Sequence, residues 1–404
     1  MGSMIKSWLS SVIGLSSAIG LSGDNALARS FQDPRIRGWL MQAAVLLLVA
    51  LGIFELVQNT VLNLQKANIA SGFGFLENPA GFAINFSLIE YSAQSDFLRA
   101  FFVGVLNTLL VAVLGIVLAT LIGFSVGIAR LSPNWLVARL AGLFIETLRN
   151  IPLLLQLFFW YFVVLQLLPS QAESLTPGGG IFLNNRGLFV PRILWEAGTF
   201  APFCAALFAS LVLAFFARKK FALEGWKVLA IAALPPLLLL LVLGWPLSLD
   251  MSVLEGFGFQ GGISLIPEFI ALLLALSIYT GAFVAENVRS GVQAVPKGQV
   301  EAAKALGLPS GLIMRKIILP QAMRVIVPPL TSQYLNLTKN SSLAVAIAYP
   351  DLVLVFANTA LSQVGQAVEI IAMTMAVYLL ISLGTSLFMN WYNARLALKE
   401  RGVA

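Results

Sequence analysis

Residues 101–129 read FFVGVLNTLLVAVLGIVLATLIGFSVGIA. A run this long and this apolar exceeds the roughly 20 residues that a helix needs to cross the hydrocarbon core of a bilayer. Inside lipid no water is available to the backbone, so each N–H and C=O must be satisfied within its own segment, which selects helix over open strand. Working outward, further apolar runs at 39–58, 141–168, 200–217, 228–245, 267–287, 325–348 and 370–392 bring the expected spans to eight. Across 404 residues the chain is 59% hydrophobic and only 11% charged, with a mean hydropathy of +0.89, too little polar surface to clothe a soluble globule. The expected fold is all-α and polytopic.

Basic residues orient the spans, because Lys and Arg accumulate on the cytoplasmic side. With the N-terminus inside, that side carries 19 of the 25 basic residues and the other side carries four, Lys66, Arg99, Arg186 and Arg192. Inverting the chain would reverse the ratio, so both termini are expected in the cytoplasm. The net charge of +7 reflects this bias. Scattered through short loops, it does not form the basic face of a nucleic-acid-binding domain. The stretch 8–21 and the small residues Ala26-Leu27-Ala28 have the outline of a signal peptide. Ser and Gly interrupt that stretch, however, and cleavage would leave Arg29, Arg35 and Arg37 outside, so residues 1–38 read as a cytoplasmic tail.

Several chemistries are excluded by composition. No histidine is present, which removes imidazole-based triads, metal sites and proton relays. Cys204 is alone and can form neither an internal disulfide nor a cysteine metal cluster. Only Lys6 is followed by Ser or Thr, and Ile5 stands where a phosphate-binding loop needs Gly, so the chain has no Walker A site. Without histidine an intramembrane enzyme would need a Ser-Lys pair; Ser341 or Ser342 beside Lys339 is formally one, but adjacency in sequence does not by itself place Lys and Ser on one helical face.

Between 287 and 325 the pattern changes to short and amphipathic. Pro296 and Gly298 signal a helix start, Gly307 with Leu308-Pro309 a stop, and a second short helix is expected over 310–318, ending at Leu319-Pro320. Val300, Ala303, Leu306 and Leu308 offer an apolar side. Small Ala302 and Ala303 permit close seating in a groove, Glu301 suits a charged contact or a cap, and Gly307 permits a turn with positive φ.

The spacing Glu301-Ala302-Ala303-x3-Gly307-x9-Ile317-x-Leu319-Pro320 resembles the EAA loop of ABC importer permeases, and residues 293–307, QAVPKGQVEAAKALG, resemble its version in the polar amino-acid branch. Residues 103–109, VGVLNTL, and 146–156, ETLRNIPLLLQ, are similar to two further blocks of that family. The resemblance covers about 97–168 and 263–395. It implies a five-helix core in two parts, 97–168 and 263–395, the second holding the EAA loop at 290–320. Segment 39–96, a first transmembrane helix and periplasmic loop, precedes it, and 169–262 is an insertion with two transmembrane helices. Residues 396–404 form a second cytoplasmic tail. This layout resembles the larger permease of general L-amino-acid transport systems.

The same resemblance implies a function. The chain is expected in the bacterial inner membrane as half of a translocation pore for polar or general L-amino acids. It would work with a two-copy ABC ATPase, a second permease or second copy of itself, and a periplasmic amino-acid-binding protein. Glu301, Ala302, Ala303, Gly307 and Pro320 would couple to the ATPase, and ATP and Mg would be bound there, with no cofactor, metal or catalytic residue in this chain.

Charges at membrane depth are candidates for the substrate path. Lys339 falls within the 325–348 run beside Asn340, Ser341 and Ser342, where an ammonium can meet a substrate carboxylate, pair with Glu286 or Glu146, or snorkel to an interface. Glu146, Arg149 and Gln156 lie toward one end of the 141–168 run, with Glu146 and Arg149 one turn apart and able to pair. Glu286 reads as a gate or loop anchor. Gly104, Gly115, Gly123 and Gly127 suit either sliding or plain tight packing. An ion-coupled secondary transporter is the alternative, but it typically shows an inverted repeat and midplane acids, and this sequence shows no clear repeat.

Overall fold

A computed structural model describes residues 34–66, 71–196, 198–221, 225–243, 247–255 and 258–396. The N-terminal stretch to residue 33 and residues 397–404, with the basic residues assigned to them, lie outside the described residues. The chain divides into two compact units, Met1–Gly72 and Phe73–Ala404. In the first, α1 spans Pro34–Lys66, and its apolar side chains, among them Trp39, Leu48 and Phe54, are exposed along its length as a lipid solvent requires.

The second unit is built on α2 (Phe97–Arg130), α3 (Trp135–Asn150), α4 (Leu153–Phe158), α5 (Phe200–Phe221), α6 (Gly225–Val242) and α7 (Pro267–Gln293). It continues with α8 (Lys297–Ala305), α9 (Ser310–Ile313), α10 (Leu319–Asn340), α11 (Leu361–Val364) and α12 (Ala367–Leu396). Among the described residues six helices are long and apolar enough to cross a membrane, the 38–60 part of α1 together with α2, α5, α6, α7 and α12. The architecture is therefore the all-α polytopic one expected.

Two expected spans differ from the reading of the sequence. The 141–168 run is not one helix but α3 and α4 bent by 107°. Pro152 disfavours helical geometry at the preceding residue, and Ile151 is extended at φ −96°, ψ 128°. Gln156 holds the corner, its Nε2 donating to the Leu148 carbonyl at 2.8 Å and the Ile151 carbonyl at 3.0 Å. Within 325–348, α10 ends at Asn340 and a tighter 3-10 turn follows over Ser341–Ile347. With Gln321, Arg324, Gln333, Asn336 and Lys339 along it, α10 is too polar to join the six.

The core is the pair α2 and α7, which run parallel, with Gly123 against Val284 and Gly127 against Ala285 and Val288. A Cβ on Gly127 would stand 2.7 Å from the Ala285 carbonyl oxygen, so close packing accounts for this glycine. α10 crosses the pair in the opposite sense, Leu337 meeting Gly115 and Tyr334 reaching Thr120, their hydroxyls 2.8 Å apart.

Short antiparallel strands, which the sequence analysis does not anticipate, flank α5 and α6. β1 (Leu175–Gly178), β2 (Ile181–Asn184) and β3 (Gly187–Val190) form successive pairs, and β3 also pairs with the returning β8 (Ile263–Leu265). β4 (Arg192–Trp195) pairs with β5 (Leu247–Asp250) at the foot of the α5–α6 hairpin, and β6 (Val253–Glu255) pairs with β7 (Gly258–Gln260). The first and last of these strands, β1 and β8, thus form the two edges of one four-stranded sheet, and β8 leads into α7.

At the end of the molecule where α2 and α7 begin, segment 73–96 folds over the start of α2. Asp96 caps that helix, accepting the Arg99 N–H at 2.7 Å. Asn107, fully buried, donates from Nδ2 to the carbonyls of Phe86 at 2.9 Å and Pro350 at 2.8 Å, and its own carbonyl accepts the Tyr349 hydroxyl at 3.2 Å. Thr108 accepts the Leu352 N–H at 3.0 Å.

Beside this knot Asp351, also fully buried and outside the six spans, accepts the Leu354 N–H at 2.8 Å. Burial pushes its carboxyl up to about 7. An unfolded aspartate ionises near ~3.9, so over the interval between the two values the fold holds a proton that the unfolded chain releases. The resulting stability is present at the acid end and lost as pH rises through that interval. The thermal midpoint of the detergent-solubilised protein should fall between pH 5 and 7.5, whereas Asp351→Asn, which keeps the acceptor for Leu354, should flatten the profile. An unchanged profile in the variant would remove Asp351 as the cause.

Candidate functional site

The segment with the EAA-like spacing forms a helical knuckle between α7 and α10. α7 ends at Gln293, Val295 is buried, and α8 begins directly after Pro296, where the missing proline N–H costs no hydrogen bond. α8 ends in a turn in which the Leu306 N–H bonds to the Ala302 carbonyl at 3.1 Å, that of Gly307 to Lys304 at 2.9 Å and that of Leu308 to Ala303 at 3.2 Å. Gly307 adopts φ +73°, the left-handed conformation that lets glycine terminate a helix. Ala303 is the small residue that seats the loop, 3% exposed, while Glu301, Ala302 and Gly307 face outward.

Three details depart from the expectation. Leu306 does not join the buried side but stands out, 79% exposed. Glu301 lies in the middle of α8 and caps nothing. The second short helix does not stop at Leu319-Pro320 either. α9 passes through a widened π-helical turn, Met314–Ile318, straight into α10, with Pro320 in its first turn. A proline inside a helix lacks its N–H and crowds the carbonyl four residues back, and a wider turn at that place accommodates both. Gln321 ties the end of this turn to its own helix, donating to the Ile317 carbonyl at 2.9 Å, and reaches Gln299 on α8. A groove of about 520 Å³ runs beside α8 between Val292, Gln293 and Lys297 on one hand and Val300, Glu301 and Lys304 on the other.

Behind the knuckle lies a charged cluster. Glu286 accepts two hydrogen bonds from Arg289, with Nε at 2.9 Å, and Arg289 continues to Gln293 at 2.6 Å, so Glu286 anchors the last turn of α7. Glu146 on α3 lies 3.5 Å from Arg130 at the end of α2. Arg149 is not its partner: the guanidinium lies over the Phe283 ring at 5.1 Å. Gln156 is buried at the α3–α4 corner, where its amide serves the backbone.

Lys339 is the penultimate residue of α10, at the end away from α8, where a cation complements the helix dipole. It pairs with neither Glu286 nor Glu146 and makes no ion pair among the described residues. Its side is exposed, in line with Ser332 and Asn336 at helical spacing. Asn340 is half-buried, and the hydroxyls of Ser341 and Ser342 bond back to the Thr338 and Lys339 carbonyls at 2.7 Å each. The structure therefore separates the candidates into an outward polar stripe on α10 carrying Lys339, a group of Glu146, Arg149 and Glu286 on α3 and the last turns of α7, and a structural Gln156. Asn107, within the 103–109 block, is a structural residue that the sequence candidates do not include. A lone amide in an apolar run was the available signal.

The description of binding-protein-dependent transport system inner membrane components matches residues 206–398. The chain is 50% identical over 382 residues to the putative amino-acid ABC transporter permease protein YhdX of Escherichia coli, covering 92% of this chain and 97% of that protein. It is 49% identical to the general L-amino acid transport system permease protein AapQ of Rhizobium johnstonii, over 91% of this chain and 94% of the relative. With the glutamate/glutamine/aspartate/asparagine transport system permease protein BztB of Rhodobacter capsulatus it shares 39% identity, over 93% and 97% of the two chains. Likeness at this level runs through nearly the whole length, and the chain belongs to the amino-acid ABC transporter permeases.

Proposed function

We propose that this permease forms half of a pore in the bacterial inner membrane, with both termini in the cytoplasm. It takes general L-amino acids from a periplasmic binding protein and is driven through α8 by a separate two-copy ATPase that carries ATP and Mg. The observation that carries the reading is the knuckle itself. A helix fixed from behind by Ala303 and the Gly307 turn presents Glu301, Ala302 and an exposed Leu306 to a partner. An exposed leucine on a rigid helix gains about 1.5–3 kcal/mol when a partner's groove covers it. The basic-residue bias supports a cytoplasmic position for this loop, and the absence of a Walker A sequence supports an external motor. Broad amino-acid specificity is supported by the relatives' names, which include a general L-amino acid system and one for four acidic and amide amino acids.

A second permease or a second copy completes the pore across the α10 stripe of Ser332, Asn336 and Lys339. The division into a core of 97–168 and 263–395, with 169–262 inserted, is part of the same reading. Its test is uptake of labelled amino acids into vesicles holding this permease, its co-purifying permease and ATPase, and an added binding protein. Uptake should require ATP on the ATPase side and survive collapse of ion gradients; uptake driven by a sodium or proton gradient without ATP would instead favour a secondary carrier.

A further inference from the structure

A second cavity, distant in sequence from the coupling loop, lies at the end of the molecule where α2 and α7 begin. Its volume is about 300 Å³, the lower end of the range for small-ligand pockets, roughly 300–1,000 Å³. Three separate stretches build it, the 82–85 part of the loop before α2, Ile266 and Glu268 at the start of α7, and residues of 348–359. Asn107 binds two of these walls together, since one of its amide protons goes to the Phe86 carbonyl and the other to that of Pro350. The third is fixed by the Tyr161 hydroxyl, which donates to Glu268 Oε1 at 2.9 Å.

Its chemistry is one-sided. Glu268 is the single charged residue of the lining, and no Lys or Arg accompanies it. A carboxylate in the first turn of a helix is stabilised by the helix dipole, which explains why an acid is tolerated there. It does not explain why the carboxylate opens onto a cavity. Only Oε1 has a donor among the described residues, and Oε2 has none. The opposite wall contains Ala348 at φ +58°, the one non-glycine residue with positive φ among the described residues. Such backbone strain is held in place only where the surrounding structure imposes it, and it concentrates at ligand sites. Ile84, Ile266, Leu354 and Val355 supply apolar walls, and Asn85 adds an amide.

We propose that this cavity is an intake site that binds the α-ammonium group of an amino acid on Glu268. The site deepens, and rests on, the reading of the chain as an amino-acid importer permease. The ammonium meets Oε2, the side chain lies along the apolar wall, and the carboxylate remains at the mouth near Asn85. Because every amino acid carries an α-ammonium, a site of this kind accepts them without reading their side chains.

The test is equilibrium dialysis of the purified permease–ATPase complex, without binding protein, against radiolabelled L-alanine, L-glutamine and L-glutamate. Glu268→Gln keeps an acceptor for Tyr161, so it preserves the local fold while removing the charge. At least one probe should bind the unaltered complex, weaken ten-fold or more in Glu268→Gln, and recover in part in Glu268→Asp. Unlabelled methylammonium should compete, whereas L-lactate, which replaces the ammonium of alanine with a hydroxyl, should not. Binding equal in Glu268→Gln, competition by L-lactate or by sodium in place of methylammonium, or no binding of any probe overturns the proposal. Those results together with intact ATP-driven uptake leave the importer reading standing, and loss of ATP-driven uptake in the unaltered complex removes both.

Discussion

Leu306→Asp should release the ATPase from the permease while leaving the permease itself folded. At 79% exposure, Leu306 contributes little to the permease's own packing, and its replacement costs the isolated chain almost nothing. In the assembled pump the side chain is expected to fill a partner's groove. Loss of that burial, together with a carboxylate placed in an apolar site, should cost about 2–4 kcal/mol, which corresponds to roughly 30- to 1,000-fold weaker association. Gly307→Trp should act in the same direction by another route. No atom lies within 4 Å of the position a Cβ would take, so the penalty comes from the backbone at φ +73°, which a side chain disfavours by ~1–2 kcal/mol. That strain loosens the end of α8 and misplaces Leu306. The readout is recovery of ATPase on a tagged permease after detergent extraction, with size-exclusion behaviour of the permease as the folding control. Full ATPase recovery and normal uptake in Leu306→Asp would remove this face from the coupling account.

Asn107→Leu should have the largest effect on the permease alone. The side chains are similar in size, so no cavity arises, but the carbonyls of Phe86 and Pro350 lose their donor inside a fully buried site. Each unsatisfied buried group costs ~1–3 kcal/mol, for a sum of about 2–6 kcal/mol less any gain from the unpaired Asn107 Oδ1 that the change removes. The loop before α2 and the 349–352 segment should then separate. A lowered thermal midpoint in detergent and faster proteolysis within residues 73–96 would report it. Asn107→Asp leaves only acceptors facing two carbonyls when ionised and should do no better, whereas a variant as stable as the parent would show that the knot is held elsewhere.

Apolar run length made most of the fold legible, because a bilayer imposes one requirement on all of α1, α2, α5, α6, α7 and α12. The same measure failed over 141–168, where average hydropathy hid the Ile151-Pro152 corner, although a proline inside an apolar run is itself a bend signal. It failed again over 325–348, where Gln333, Asn336 and Lys339 are diluted by the apolar residues around them, Leu330, Leu337 and Leu343 among them. The strands of the insertion were missed for a different reason. They are only three or four residues long, and hydropathy windows suited to membrane helices pass over them, yet Pro177-Gly178-Gly179-Gly180 and the Asn184-to-Gly187 turn stood in the sequence as hairpin signals. At the loop, the EAA spacing located α8, the Gly307 turn and the buried Ala303, all of which depend on local chemistry. The outward position of Leu306, the Arg130 partner of Glu146 and the stacking of Arg149 on Phe283 depend on packing between elements distant in sequence, and no local pattern encodes them.

Contact between α8 and a separate ATPase can be measured directly, because Cys204 is the chain's single cysteine. In a Cys204→Ser background, Leu306→Cys offers one thiol at the tip of the knuckle for a short bifunctional cross-linker in native membranes. An adduct with a nucleotide-binding subunit is expected, its yield changing between nucleotide-free and ATP-loaded membranes, and it should be absent from a Gly384→Cys control on α12. Membranes that transport amino acids yet give no ATPase adduct at residue 306, while neighbouring positions 301 and 302 are also silent, would contradict it.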